Sequence, residues 1–159
     1  TRTAIAGDHS TDHRSHLDGA LTGWPSSDVV ATSDGTPRLW LRPLDSVTAQ
    51  PLPGTDGASY PFWKPDSRTI GFFAEGKLKK IDIGGGQPQP LADAAGGRGG
   101  TWSRDDVILF GVGTPGLRRV SASGGEATRV LGPAPHQTNH RFPQFLPDGR
   151  HFLYFSQGT

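Results

Sequence analysis

Apolar residues along this chain come in short runs separated by breaks rich in Gly, Pro, Ser and Asp. One grouping returns four times: an aromatic residue, a Pro/Ser/Asp turn, then an apolar run. The copies are Trp24-Pro25-Ser26-Ser27-Asp28-Val29-Val30, Trp63-Lys64-Pro65-Asp66-Ser67-Arg68-Thr69-Ile70, Trp102-Ser103-Arg104-Asp105-Asp106-Val107-Ile108 and Phe145-Leu146-Pro147-Asp148-Gly149-Arg150-His151-Phe152. The anchors Trp24, Trp63, Trp102 and Phe145 step by 39, 39 and 43 residues. Runs this short, bounded by turn residues, predict strands.

A period of about 40 residues carrying several short strands suits a four-stranded propeller blade. In the second repeat, Pro61–Trp63, Thr69–Phe73, Lys77–Ile83 and Gln87–Leu91 are the expected strands, and the third alternates polar and apolar residues as a half-exposed strand does. In the next repeat, Leu117-Arg118-Arg119-Val120 stands 39 residues after Leu78-Lys79-Lys80-Ile81. The predicted fold is all-β: about three and a half four-stranded propeller-type blades, at 21–55, 60–94, 99–133 and an incomplete 140–159, after a polar N-terminal arm over 1–20.

Composition supports this reading. Hydrophobic content is 33%, and 23 glycines with 14 prolines would suggest disorder if they did not fall between the apolar runs. Sixteen basic and 15 acidic residues leave a net charge of +1, which argues against a nucleic-acid surface. With no cysteine, disulfides and thiolate chemistry are excluded. No apolar run approaches the roughly 20 residues of a membrane-spanning helix. The chain lacks methionine, so Thr1 is not a translation start and the chain is a processed product or part of a longer one.

These repeats resemble the TolB-type propeller repeat, whose core reads aromatic-Ser-Pro-Asp-Gly-Arg-apolar. The stretches Leu39–Asp45, Phe62–Arg68 and Phe142–Phe155 look especially like propellers found outside the membrane in some bacterial Ser/Thr kinases. The resemblance implies an extracytoplasmic, periplasmic or extracellular, bacterial protein, and such propellers serve many tasks. No kinase signature is present in the chain. The resemblance also implies more blades than this chain supplies.

The unfinished last blade is the functional clue, because an unpaired strand edge recruits partners. Four outcomes are open to it: closure within one chain by the N-terminal arm, mutual completion of two chains, head-to-tail addition into a filament, or a fragment of a longer chain. Ala4, Ile5 and Ala6 of the arm and Phe152 and Tyr154 of the last blade are the partner-binding candidates. The expected function is a non-catalytic scaffold that self-associates through strands donated by another chain. The alternative is a ligand- or partner-sensing module derived from a larger kinase-linked protein.

Other candidates are weighed against plainer readings. His9, His13 and His16 have helical spacing and could bind a metal, but no residue to orient their rings and no His-Glu-x-x-His pattern marks them. His136 and His140 lie in the longer connection before the last repeat and are candidates for a ligand loop. Asp66, Asp105, Asp106 and Asp148 recur once per blade at turns, which assigns them to geometry and not to catalysis. No catalytic residue and no cofactor are expected.

Overall fold

The computed structural model describes residues 35–114, 116–132 and 135–158, together with the backbone of 5–6 and 27–32. Fourteen strands in four sheets make up the secondary structure among the described residues. Blade 1 contains β1 (Ile5–Ala6), β2 (Ser27–Thr32), β3 (Arg38–Pro43) and β4 (Gln50–Pro51). Blade 2 contains β5 (Ser59–Trp63), β6 (Thr69–Ala74), β7 (Lys77–Asp82) and β8 (Gln89–Asp93). Blade 3 contains β9 (Gly100–Trp102), β10 (Val107–Gly111), β11 (Leu117–Ser121) and β12 (Thr128–Leu131). The fourth sheet is a single hairpin of β13 (Gln137–Phe145) and β14 (Phe152–Gly158). Three four-stranded blades and half of a fourth are therefore present.

The blades lie side by side, with their first strands packed in succession: β1 on β5, β5 on β9, β9 on β13. A second strand with a blade on either side must be apolar on both faces, and β6 and β10 are almost entirely buried along their length. One core lies between blades 1 and 2, around Leu39, Ile70, Phe72 and Ile81. Another lies between blades 2 and 3, around Phe73, Leu78, Trp102, Ile108 and Phe110.

The repeated turn has a local cause. Asp66 Oδ1 accepts the backbone N–H groups of Arg68 and Thr69 at 2.8 and 2.9 Å, and Asp148 Oδ1 accepts those of Arg150 and His151 at 3.0 Å each. Blade 3 has no aspartate in that role. There Ser103 Oγ accepts the N–H of Asp105 at 3.2 Å and of Val107 at 3.1 Å. The residue four places after each described anchor turns left-handed: Ser67, Asp106 and Gly149, at φ 57°, 57° and 68°. Asp106 then leads directly into the strand, so Trp102 pairs with Ile108 where Trp63 pairs with Ile70, one residue later in its repeat. A longer connection from Gly111 to Leu117 restores the 39-residue phase.

The register of β5 shifts between Ser59 and Phe62, and that of β13 between Arg141 and Gln144. Tyr60, Gly99 and Phe142 stand three residues before their anchors and all have positive φ, 48°, 85° and 51°. Only glycine adopts this conformation freely. At Gly99 it serves packing too, since a Cβ there would lie 2.8 Å from Phe142 Cδ1.

One expectation is corrected. The stretch expected to form a loop, Gln137–His140, is instead the start of the nine-residue β13, because its backbone finds a full partner in β14 from Gln137 opposite Gly158 to Phe145 opposite Phe152. In blade 1 the place of the first strand beside β2 is taken by Ile5–Ala6, which runs parallel to β2 with Ile5 opposite Val30, while the segment leading into Trp24 lies outside the described residues.

Candidate interaction site at the open side of the fourth blade

β13 is held against blade 3 by contacts along its length. Phe142 N–H donates to the Arg98 carbonyl at 2.9 Å and Phe145 N–H to Thr101 Oγ1 at 3.2 Å. His140 is fully buried, with Nδ1 accepting the Gly116 N–H at 2.8 Å and Nε2 lying 2.7 Å from Gln137 Oε1. That acceptor role fixes the tautomer: Nδ1 is bare, and Nε2 carries the proton it gives to Gln137. The imidazole is thus a pin between β13 and the turn before β11. His136 stands in the turn preceding β13, exposed, at φ 66°.

β14 is the last strand of the fourth sheet. It pairs with β13 on one side, and among the described residues no strand pairs with it on the other. In blades 2 and 3 the corresponding strands, β6 and β10, each carry a third strand there. Phe152 and Tyr154 turn toward β13's buried side, with their rings 6.1 Å apart and Tyr154 5.4 Å from the His140 ring. Leu153 and Phe155 turn the other way and are 62% and 53% exposed. Sequence reading missed this pair. The signal that finds them is positional, by comparison with buried residues at the same places in blades 2 and 3.

Ile5 and Ala6 pair within their own chain, while Ala4 lies outside the described residues, as do Trp24, His9, His13 and His16. Among the described residues no group of three or more His, Cys, Asp or Glu is placed to hold a metal. The three lysines of β7 are tied to neighbours: Lys77 Nζ to Asp93 at 2.7 Å, Lys79 to Glu75, and Lys80 Nζ to the Ala122 carbonyl at 2.8 Å.

A second polar feature joins blades 2 and 3. Lys64 Nζ lies 3.0 Å from Asp106 Oδ1 and 3.5 Å from Asp66 Oδ2, and 5.5 Å above the Trp102 ring, whose Nε1 donates to Asp106 at 3.2 Å. The bond to Asp106 raises the Lys64 pKa against the opposing effect of burial. The same bond, helped by Trp102, lowers Asp106. Burial alone would raise Asp66, but the amides of Arg68 and Thr69, the Thr69 hydroxyl and the Lys64 charge together lower it. A groove of about 570 Å³ opens beside this cluster, with Lys80, Asp82, Gln87 and Ser123 on its walls.

No protein-family model matches the sequence, and no curated protein matches it. Solved structures do. The chain is similar to a putative TolB from Agrobacterium tumefaciens, at a TM-score of 0.70 and 18% identity over 83% of this chain and 50% of that one. It is similar to TolB from Acinetobacter baumannii, at a TM-score of 0.62 and 20% identity over 76% of this chain and 32% of that one. A gluconolactonase from Xanthomonas campestris is similar at a TM-score of 0.63 and 15% identity, over 89% of this chain and 58% of that one. The chain therefore spans a third to somewhat over half of these proteins. Such likeness shows the fold: the chain is a β-propeller arc of three blades and the first two strands of a fourth.

Proposed function

We propose that this chain is a non-catalytic, extracytoplasmic protein-binding scaffold that self-associates by completing its fourth blade with strands from another copy, as a ring or as a filament. One observation carries the reading: β14 presents a seven-residue edge at the place where β6 and β10 each bond a third strand. An edge of that length offers backbone donors and acceptors to any strand of suitable register. The bonds of Asp66 and Asp148 to turn amides support a structural role for these carboxylates, with no substrate needed to account for them. The extracytoplasmic placement is carried over from the TolB-type likeness of the repeats.

Light scattering on the size-separated chain, with hydrogen exchange on β14, tests the assembly. The expected result is a species heavier than one chain in which the outward amides of β14 are protected. A monomer at every concentration would remove the reading. The same fold carries catalysis in the Xanthomonas gluconolactonase, so turnover of a sugar lactone by the purified chain would overturn the non-catalytic part.

The groove beside Lys64 favours a second reading, a module that senses a small polar ligand. Isothermal titration with wild type and a Lys80→Ala variant separates the two: ligand heat lost in the variant would support sensing.

A further inference from the structure

Two arginines face each other across the outer strand pair of blade 3, and blade 2 shows what is missing between them. In blade 2, Lys79 of β7 stands opposite Pro90 of β8, and its ammonium is held by Glu75 in the turn before β7. At an offset of 39 residues, the same three places in blade 3 carry Arg118, Arg129 and Thr114. Arg118 of β11 stands directly opposite Arg129 of β12. A second guanidinium thus takes the place of the proline, and a neutral hydroxyl takes the place of the carboxylate.

Residues directly opposite on an antiparallel pair share a face, with Cβ atoms about 4.5–5.5 Å apart, and like charges placed so are destabilising. Neither charge can be shed, because a guanidinium stays protonated in a protein. Nor does the chain neutralise them: among the described residues, Arg118 and Arg129 make no ion pair and no side-chain hydrogen bond. The acids of the neighbouring blade face are committed elsewhere, Glu75 to Lys79, Asp93 to Lys77 and Asp106 to Lys64. Arg119, the next residue of β11, donates from Nε to Thr128 Oγ1 at 3.3 Å. Every lysine of β7 has its partner, so the unrelieved Arg118–Arg129 pair departs from the molecule's own pattern.

We propose that the Arg118–Arg129 pair is a binding site for a phosphate group. A doubly charged oxyanion neutralises both guanidiniums at once, where a single carboxylate would leave one charge over. Guanidinium forks bond phosphate oxygens through two N–H groups at a time, and two forks on one face offer two such edges. Arg118 is half-buried and Arg129 exposed, so one fork is anchored and the other is open to solvent. Thr114 is exposed in the turn before β11 and brings a donor to the place where Glu75 in blade 2 brings a negative charge that would repel an anion. A phosphate monoester carries close to two charges at neutral pH, so the same site takes the free ion or a phosphate at the head of a lipid. The net charge of +1 is no obstacle, since the attraction is local to one strand pair.

Isothermal titration and thermal melts with sodium phosphate, against sodium chloride at matched ionic strength, test the site on wild type, Arg118→Gln, Arg129→Gln and Thr114→Glu. Phosphate is expected to bind wild type and to raise its melting temperature where chloride does not. Each variant is expected to bind phosphate at least tenfold more weakly. Without phosphate, both glutamine variants should melt no lower than wild type, because each removes a repulsion, and Thr114→Glu should melt higher, because it restores the acid of blade 2. Flotation with phosphatidylcholine vesicles, with and without phosphatidic acid, separates the sources. Retention that requires phosphatidic acid assigns a lipid phosphate, and binding of the free ion without retention assigns a soluble one. No preference for phosphate over chloride together with none for phosphatidic acid would overturn the proposal, as would phosphate binding unchanged in all three variants.

Discussion

The ring of Phe73 fills the space that a side chain at Gly97 would need: a Cβ there would fall 2.2 Å from Phe73 Cδ1. Blade 2 and blade 3 meet through this fit of an aromatic ring to a bare backbone. Gly97→Ala is expected to destabilise the chain by about 1–3 kcal/mol, the range for overpacking a finished core. Adding Phe73→Leu should recover part of that loss. Urea unfolding of the two single variants and the double variant measures the coupling, and strictly additive losses would contradict the proposed fit.

His140 has both ring nitrogens engaged and no exposed surface. His140→Ala leaves the Gly116 N–H without its acceptor and opens a cavity, and a loss of about 2–4 kcal/mol is expected. Hydrogen exchange at Gly116 should speed up out of proportion to amides in blade 2. An unchanged Gly116 rate would show that the imidazole is not the pin.

The joint at Lys64 should show in alkali. Its bond to Asp106 raises its pKa, so the stabilisation is present below the ordinary lysine value near 10.4 and is lost as pH rises through the folded-state value. Lys64→Met should cost about 0.2–1 kcal/mol at neutral pH, as part-exposed ion pairs do, and should flatten the decline in stability above about pH 10. Thermal melts across pH 8–11 check this.

Acid should act on Asp148. The His151 imidazole first, then the amides of His151 and Arg150, hold its carboxyl well below the usual range. A lowered carboxylate stabilises above its unfolded value, near 3.9, and that contribution fades as pH falls below it toward the folded-state value. Asp148→Ala is therefore expected to lower stability at neutral pH and to give a shallower decline between about pH 5 and pH 2. Parallel acid melts of variant and wild type would refute this.

Much of the arc was legible in the sequence because each blade is a local unit. Trp63, the Asp66 turn and the run from Thr69 to Phe73 lie within a dozen residues, and their hairpin needs only its own turn chemistry and a buried face. The use of Ser103 as the turn acceptor in blade 3 was not legible, because the hydroxyl stands one residue after its anchor where the aspartates stand three after theirs, and it bonds the amides of Asp105 and Val107 in a turn one residue shorter. Nor was His140 legible as a core residue. Its stretch is polar, and what makes it a strand is the partner β14 and the acceptor it offers to Gly116, 24 residues away.

By itself the sequence determined the blades: period, strand count and turn positions follow from aromatic anchors and breakers that act over a few residues. Tertiary structure alone decided which apolar residues are core. Leu109 and Leu153 have the same chemistry and the same place in their hairpins, yet one is buried and the other exposed, because burial depends on whether another blade stands alongside.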